Sequence, residues 1–314
     1  MGIMPHKNYA PVALFIYNRP DHLRRVITSL KQCAEFNETP ILVFADGAKD
    51  KGEEGNVGRA REVAHECLGA GAVYDERDHN LGLAQSIIRG VDKVCSQYGR
   101  VIVIEDDLIV SPEFLRYMNA SLDYYEEWEE VFQVSGYMFP ISFPQTNRCF
   151  LLPLTTSWGW ATWARAWSKY DRKMQGWEVL KSDAVSRRKF NVDGAFDFYS
   201  MLTKQAEGKI DSWAIRWYWS VFRNQGLVVY PPVSMIENAG FDGSGTHGWR
   251  NAKRMLGGQI AGVNQELDYP VYGPEDRICY SQISKYLGRR RYDYFTCVKP
   301  FIEGLYRMKK LIWK

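Results

Sequence analysis

The chain has no glycine-rich phosphate loop. Neither G-x-x-x-x-G-K-[ST] nor, after the first apolar run, G-x-G-x-x-G occurs in its 314 residues. That excludes a kinase-type phosphate cradle and a dinucleotide fingerprint. No C-x-x-C pair occurs either. The 6 cysteines, Cys33, Cys67, Cys95, Cys149, Cys279 and Cys297, are widely spaced. Such spacing argues against a zinc site or a disulfide framework and for free thiols in a reducing compartment. No stretch reaches the roughly 18 apolar residues of a membrane span. Met1 to Tyr9 lacks the apolar core of a signal peptide. A cytosolic location is therefore expected. The formal net charge is only +3, which gives no ground for a nucleic-acid partner. No internal repeat or low-complexity linker is present.

What is present suits one large α/β domain or two fused subdomains with a sizeable core. Hydrophobic residues make up 46% and charged residues 25%, as in an ordinary folded protein. Aromatics reach 14%, with 11 Trp and 19 Tyr. They fill a core, or they cover the C–H faces of sugars.

The first half alternates between strand and helix signals. Pro11 to Tyr17 is a short apolar run and reads as a buried strand. Asn18-Arg19-Pro20-Asp21 breaks it, and Leu23, Val26, Ile27 and Leu30 then recur at helical spacing. A second strand is expected over Ile41–Ala45, ending at Asp46-Gly47. A helix follows over Val57–Leu68, then a strand over Ala72–Tyr74. Asn80-Leu81-Gly82 reads as a turn before a helix over Leu83–Tyr98. Val101-Ile102-Val103-Ile104 is the strongest strand signal, and it runs into Glu105-Asp106-Asp107. This order predicts a mostly parallel sheet with helices on both faces. Ligands bind such sheets beyond the carboxyl ends of the strands. Three polar strand ends should gather there: Asn18-Arg19, Asp46-Gly47 and Glu105-Asp106-Asp107.

The pattern loosens after about residue 135. Thr155–Trp167 and Trp213–Phe222 are aromatic, and Asn238–Trp249 is rich in glycine, as a closing loop would be. From Lys285 to Lys314 there are nine Lys or Arg against two acids, and Phe301, Leu305, Met308 and Ile312 share a helical face. A basic amphipathic helix of this kind suits an anionic membrane surface. The alternative is a terminal helix docked on the body with a solvated basic side.

Glu105-Asp106-Asp107 is the most informative motif. Adjacent carboxylates at the end of a buried strand repel one another, and a bound cation relieves that cost. Hard oxygen ligands suit Mg²⁺ or Mn²⁺, which keep waters and bridge to substrate phosphates. Alternation along a strand prevents all three side chains from reaching one ion. Asp107 is the preferred ligand, with Asp106 near the ribose or sugar of the phosphate-bearing substrate. An ordinary acidic turn before the helix near Ser111-Pro112-Glu113 is the structural alternative.

The segments PVALFIYNRP, VFADG, N-x-G-x-A at Asn80–Ala84 and VIVIEDDLIVSPEF resemble the nucleotide-binding half of the metal-dependent GT-A glycosyltransferases. The likeness extends to the N-acetylglucosaminyltransferase I type and its bacterial relatives. That type also has E-D-D-L followed by a short helix opening with a proline and a phenylalanine, here Pro112 and Phe114. It has a Gly-Trp segment like Gly159-Trp160 and an acid before a tryptophan, like Asp211-Ser212-Trp213.

The resemblance covers about residues 10–250. It implies a GT-A (Rossmann-like) α/β fold with a mostly parallel sheet flanked by helices. Together with the composition and charge along the chain, the expected regions are a nucleotide-sugar-binding subdomain over 1–135, an acceptor-side subdomain over 136–265 and a basic C-terminal helical tail over 266–314. It implies an inverting glycosyltransferase using a nucleotide-sugar donor such as UDP-GlcNAc, with Mn²⁺ or Mg²⁺. The expected partner is a glycan acceptor; because the basic tail would hold the enzyme at the inner membrane face, a membrane-anchored cell-envelope glycan suits that part. Arg19 would contact the base or diphosphate, Asp46 would accept from the uracil N–H, and Asp107 would hold the metal. Asn80, Glu105, Asp106, Trp160 and His247 would lie on the donor side. His247 sits in the glycine-rich Gly243–Gly248 loop. Asp211 is the implied catalytic base; the family often has two acids there, whereas Ser212 follows here. For Arg19 and Asp46 an ion pair or an Asx-turn is the structural alternative. Trp158, Trp160 and Trp213 either line the sugar site or pack the core.

A sugar nucleotidyltransferase would need an early basic, glycine-rich loop, and PVALFIYNRP is a poor one. A non-catalytic carbohydrate-binding protein would leave the strand-end acids unexplained.

Overall fold

The computed structural model describes residues 9–141, 143, 147–240, 266–271 and 273–297. Ten strands are seen among them: β1 (Val12–Ile16), β2 (Ile41–Ala45), β3 (Ala72–Glu76), β4 (Arg100–Glu105), β5 (Leu108–Val110), β6 (Val131–Ser135), β7 (Phe150–Leu152), β8 (Trp160–Trp163), β9 (Leu227–Tyr230) and β10 (Ile236–Asn238). The helices are α1 (Pro20–Leu30), α2 (Glu54–Leu68), α3 (Leu83–Tyr98), α4 (Phe114–Tyr124), α5 (Ala164–Trp167), α6 (Val179–Ser182), α7 (Ala184–Phe190), α8 (Phe198–Ala206), α9 (Trp213–Arg223) and α10 (Pro274–Cys297).

Eight strands form one sheet in the order β3-β2-β1-β4-β8-β6-β9-β7. β3, β2, β1 and β4 run parallel. β8 is antiparallel to both β4 and β6, β9 is parallel to β6, and β7 is antiparallel to β9. Six strands thus share one direction. Every residue of β1 and β2 is buried. Successive strand residues face opposite sides, so both faces of the sheet are covered. This explains the continuous apolar runs VALFI and ILVFA.

Local signals set the helix limits. α1 opens with Pro20 at its first position, where a missing N–H costs nothing. Its buried residues Leu23, Val26, Ile27 and Leu30 follow the helical period. α3 stops at Gly99, whose left-handed φ of 76° lets its N–H cap Cys95 O at 2.9 Å.

Both sheet edges are protected. β3 is short and carries Asp75, whose carboxylate pairs with Lys93 at 2.9 Å. β7 lies against α10. There Arg148 forks onto Asp276, with Nη1–Oδ1 and Nη2–Oδ2 both 3.0 Å. Asp276 is wholly buried and also accepts from the N–H groups of Leu151 (2.8 Å) and Gly273 (2.6 Å). Cys279, Ile283 and Leu287 form the buried side of the helix. The first part of the basic tail is therefore docked on the body. The apolar positions Phe301 to Ile312 lie outside the described residues. No helix among the described residues is long and apolar enough to cross a membrane.

Removing one partner of a buried, hydrogen-bonded ion pair leaves an uncompensated charge. Asp276→Ala should therefore lower the unfolding free energy by about 3 kcal/mol, read from the midpoint of urea denaturation. A loss under about 0.5 kcal/mol, the range of surface substitutions, would mean that the pair does not anchor α10.

Candidate active site at the strand ends

β1 and β4 are neighbours in register, with Phe15 opposite Glu105. Their carboxyl ends therefore bring Tyr17-Asn18-Arg19 beside Glu105-Asp106-Asp107. The main-chain N–H of Tyr17 donates to Asp106 Oδ2 at 2.9 Å. Arg19 Nη1 donates to Asp107 Oδ2 at 2.7 Å, and both side chains are 18% exposed. The chain then turns into β5, which pairs antiparallel with β10: Leu108 faces Asn238, and Val110 faces Ile236. The N–H of Ala239 donates to Asp107 O at 2.8 Å. This small ribbon brings Gly240 against the ion pair. A Cβ on Gly240 would stand 2.3 Å from Asp107 Oδ2 and 3.0 Å from Arg19 Nη1, so only glycine fits without moving them.

Burial and repulsion act together on the acids. Desolvation, then the charges of Asp107 and Asp106, push Glu105 up to about 8. Desolvation, then Asp107, raise Asp106 to about 7, with Arg19 and the Tyr17 N–H opposing. Asp107 is the acid in direct ion-pair contact with Arg19.

The next strand end is interlocked with its neighbour. Asp46 is 6% exposed. Its Oδ1 accepts from Leu81 N at 2.9 Å and Gly47 N at 3.2 Å, and its Oδ2 from Gly82 N at 2.9 Å. Asn80 Nδ2 returns a bond to Gly47 O at 2.8 Å. Asp46 and Asn80 therefore fasten the end of β2 to the turn before α3. Tyr17 was not singled out from the sequence. Its hydroxyl donates to Glu53 and accepts from Lys49 N at 3.1 Å, and Asn18 Nδ2 reaches Glu53 Oε1 at 3.2 Å. Burial and Glu53 push the Tyr17 phenol up to about 12. The signal for this unit was Tyr17 itself, an aromatic at the exit of a strand.

Asp211 lies just before α9 and is 59% exposed on its side chain, paired with Arg216. Ser212 is the N-cap of α9, its hydroxyl accepting from Ile215 N at 3.4 Å. Ser212 has a local structural task that an acid would also perform. Trp213 stacks on Trp160 with centroids 5.1 Å apart. Trp160 in turn pairs with Val103, two residues before Glu105. The start of α9 is thereby packed beside the central strand that carries the acids. Trp160 itself is fully buried among Trp167, Trp213 and Trp217. Its ring belongs to the core and offers no face to a sugar, which corrects the donor-side expectation for it. Trp158 is partly buried and meets Tyr137 edge-on at 4.8 Å. His247 and its loop lie outside the described residues.

Two surface cavities, of about 600 Å³ beside α1 and about 700 Å³ beside α4, lie elsewhere; neither is lined by Asp46, Asp106 or Asp107. Among the described residues no three His, Cys, Asp or Glu side chains converge as a metal cage. A cage is not what Mg²⁺ or Mn²⁺ requires, because one or two carboxylates and substrate phosphates suffice. The hard oxygens of Asp107, its partial exposure and the side-chain-free approach of Gly240 fit such an ion.

The large, mostly parallel central sheet flanked by helices is that of the GT-A (Rossmann-like) fold. The chain belongs to glycosyl transferase family 2, whose pattern it matches over residues 12–178. No curated protein matches it significantly. Among solved structures it is similar to the crystal structure of S. aureus TarS 1-349, at 10% identity and a TM-score of 0.43. That similarity covers 74% of this chain and 61% of TarS 1-349.

The raised acids give a pH dependence with a definite sign. The folded values of about 8 and 7 exceed the ordinary 4.5 and 3.8. Their contribution to stability is complete below the ordinary values and is lost as pH rises through the folded ones. The metal-free protein should therefore melt at progressively lower temperature as pH rises across that window. Glu105→Gln with Asp106→Asn should flatten the trend. Calorimetric melts over this range check it, and an unchanged slope in the double variant would reject the assignment.

Proposed function

We propose that the chain transfers a sugar from a nucleotide-sugar donor to a hydroxyl of a glycan acceptor, with a divalent cation at Asp107 and inversion at the anomeric carbon. The observation that carries this reading is the convergence of Arg19, Asp106 and Asp107 at the ends of β1 and β4. Membership of glycosyl transferase family 2 supports the donor class. UDP-GlcNAc is favoured by the resemblance to the N-acetylglucosaminyltransferase I type.

In this reading the donor's diphosphate lies at the strand-end rim, near Arg19, where a guanidinium matches phosphate geometry. Asp107 would hold Mn²⁺ or Mg²⁺, which would supply positive charge against that developing on the departing diphosphate. The acceptor hydroxyl attacks the anomeric carbon from the opposite face, and the bond to the diphosphate oxygen breaks. Asp211 takes the hydroxyl proton. The leaving nucleoside diphosphate carries away the electron pair, so no covalent enzyme intermediate is required. Arg216, beside Asp211, holds its carboxylate at the start of α9. Asp46 and Asn80 keep the neighbouring strand ends fixed, which limits the motion available to the donor pocket.

Calorimetric titration of UDP-GlcNAc and other nucleotide sugars, with and without Mn²⁺, tests the site. Wild type should bind one of them in a metal-dependent way, and Asp107→Ala should lose that binding. A folded protein that binds no nucleotide sugar in the presence of metal would sink the transferase reading. With the donor known, Asp211→Asn should leave donor affinity unchanged and slow turnover by about 10²–10⁴-fold, the span of general-base catalysis. Turnover within a few-fold of wild type would remove Asp211 from the mechanism.

A further inference from the structure

Arg19 already neutralises the carboxylate that the proposed cation would need. Its Nη1 meets Asp107 Oδ2 at 2.7 Å. Gly240 lies on the same flank of that oxygen: a Cβ built there would stand 2.3 Å from Oδ2 and 3.0 Å from Nη1. A small divalent cation binds a carboxylate oxygen at about 2.0–2.1 Å. With the guanidinium in place, a cation on Oδ2 would therefore sit no more than about 5 Å from Nη1. The contact recorded is one nitrogen to one oxygen, not a two-point fork. It is also partly open to solvent, so it is held less tightly than a buried bidentate pair. The backbone of Arg19 is fixed, because it directly precedes Pro20 and the first turn of α1. The side chain alone has to swing.

Resting on the metal reading of Asp107, we propose that Arg19 is a displaceable counter-ion that stands in for the divalent cation and makes cation binding conditional on a nucleoside diphosphate. Charge accounts for the conditionality. With Arg19 in place, the charge of Asp107 is compensated. A cation arriving alone must displace the guanidinium or sit close to it, and two cations at short range in a partly desolvated rim repel strongly. A diphosphate arriving with the cation removes this cost. It gives the released guanidinium a planar, two-oxygen partner and gives the cation its remaining hard oxygen ligands. Cation and diphosphate should then each strengthen the other's binding by the same factor.

The test measures Mn²⁺ uptake, not turnover. The signal of free Mn²⁺ in electron paramagnetic resonance would be titrated with wild type, Arg19→Met and Arg19→Lys, each with and without UDP, after circular dichroism shows that each is folded. Wild type should take up Mn²⁺ weakly alone and about tenfold or more tightly with UDP, within the usual range of coupling between sites. Arg19→Met should take up Mn²⁺ alone about tenfold more tightly than wild type, and UDP should add little. Arg19→Lys keeps a cation and should keep the wild-type dependence on UDP. If Arg19→Met takes up Mn²⁺ alone no more tightly than wild type, the counter-ion role is overturned. If wild type takes up no Mn²⁺ even with UDP, the metal reading itself falls, and the two failures are thereby told apart.

Discussion

Three consecutive carboxyl groups at the end of a buried strand are the constraint on which the rest of this structure depends. β4 is surrounded by apolar neighbours, so Glu105 and Asp106 are poorly solvated and face the charge of Asp107. Such an arrangement persists only where other elements supply opposite charge or N–H groups. Parallel pairing with β1 supplies both, because it aligns the Tyr17 N–H and the Arg19 guanidinium with the acids. The β5–β10 ribbon completes the enclosure and fixes the main chain of Asp107 through Ala239. Sheet order, strand direction and the short ribbon are thus all needed to keep the acids where they are.

Rigidity around this rim comes from two unlike sources. On one side it is polar: Asp46 spends its carboxylate on three main-chain N–H groups, locking the ends of β2 and the turn before α3 together. On the other side it is apolar: Trp160, Trp167, Trp213 and Trp217 form a contiguous buried cluster with centroid separations from 5.1 to 6.4 Å. Aromatic contacts of this kind add to area burial and tolerate little displacement. The strand ends that carry Arg19 and Asp107 are therefore mounted on parts that resist movement.

The sequence made the central strands plain and the site only partly so. β1, β2 and β4 are continuous apolar runs because both faces of the sheet are covered, and their polar exits stand out against that background. α3 was found to the residue because Gly82 and Gly99 bracket it. α2 starts three residues earlier than its apolar positions suggest, because Glu54 to Asn56 form a first turn with no buried side chain. The β5–β10 ribbon was invisible: each strand has three residues, and about 125 residues separate them. Periodicity cannot report such a pairing. The insertion of β8 between β4 and β6 was hidden for the same reason. Asp46 shows another limit. Its residue type and position left a ligand contact and an Asx-turn both open, and the sequence does not show that its carboxylate bonds Gly47 and the turn at Leu81 and Gly82. Trp160 is similar, since a tryptophan looks alike in sequence whether it lines a sugar site or sits in a core.

The two halves of the proposed reaction differ in how much they leave in the sequence. A diphosphate and a cation demand fixed chemistry, so the donor side is written as strand-end acids and an arginine within the region matching glycosyl transferase family 2. A hydroxyl acceptor demands one carboxylate at the right place, and almost any scaffold that holds it will serve. Here that scaffold is α9, whose position is set by Trp213 against Trp160 and by Trp217, with its indole N–H on Gln133 at 2.7 Å. Core packing therefore places the start of α9, and the ion pair with Arg216 holds the Asp211 carboxylate there. This is why the proposed acceptor side reads as generic aromatic sequence, whereas the proposed donor side is read from its polar strand ends.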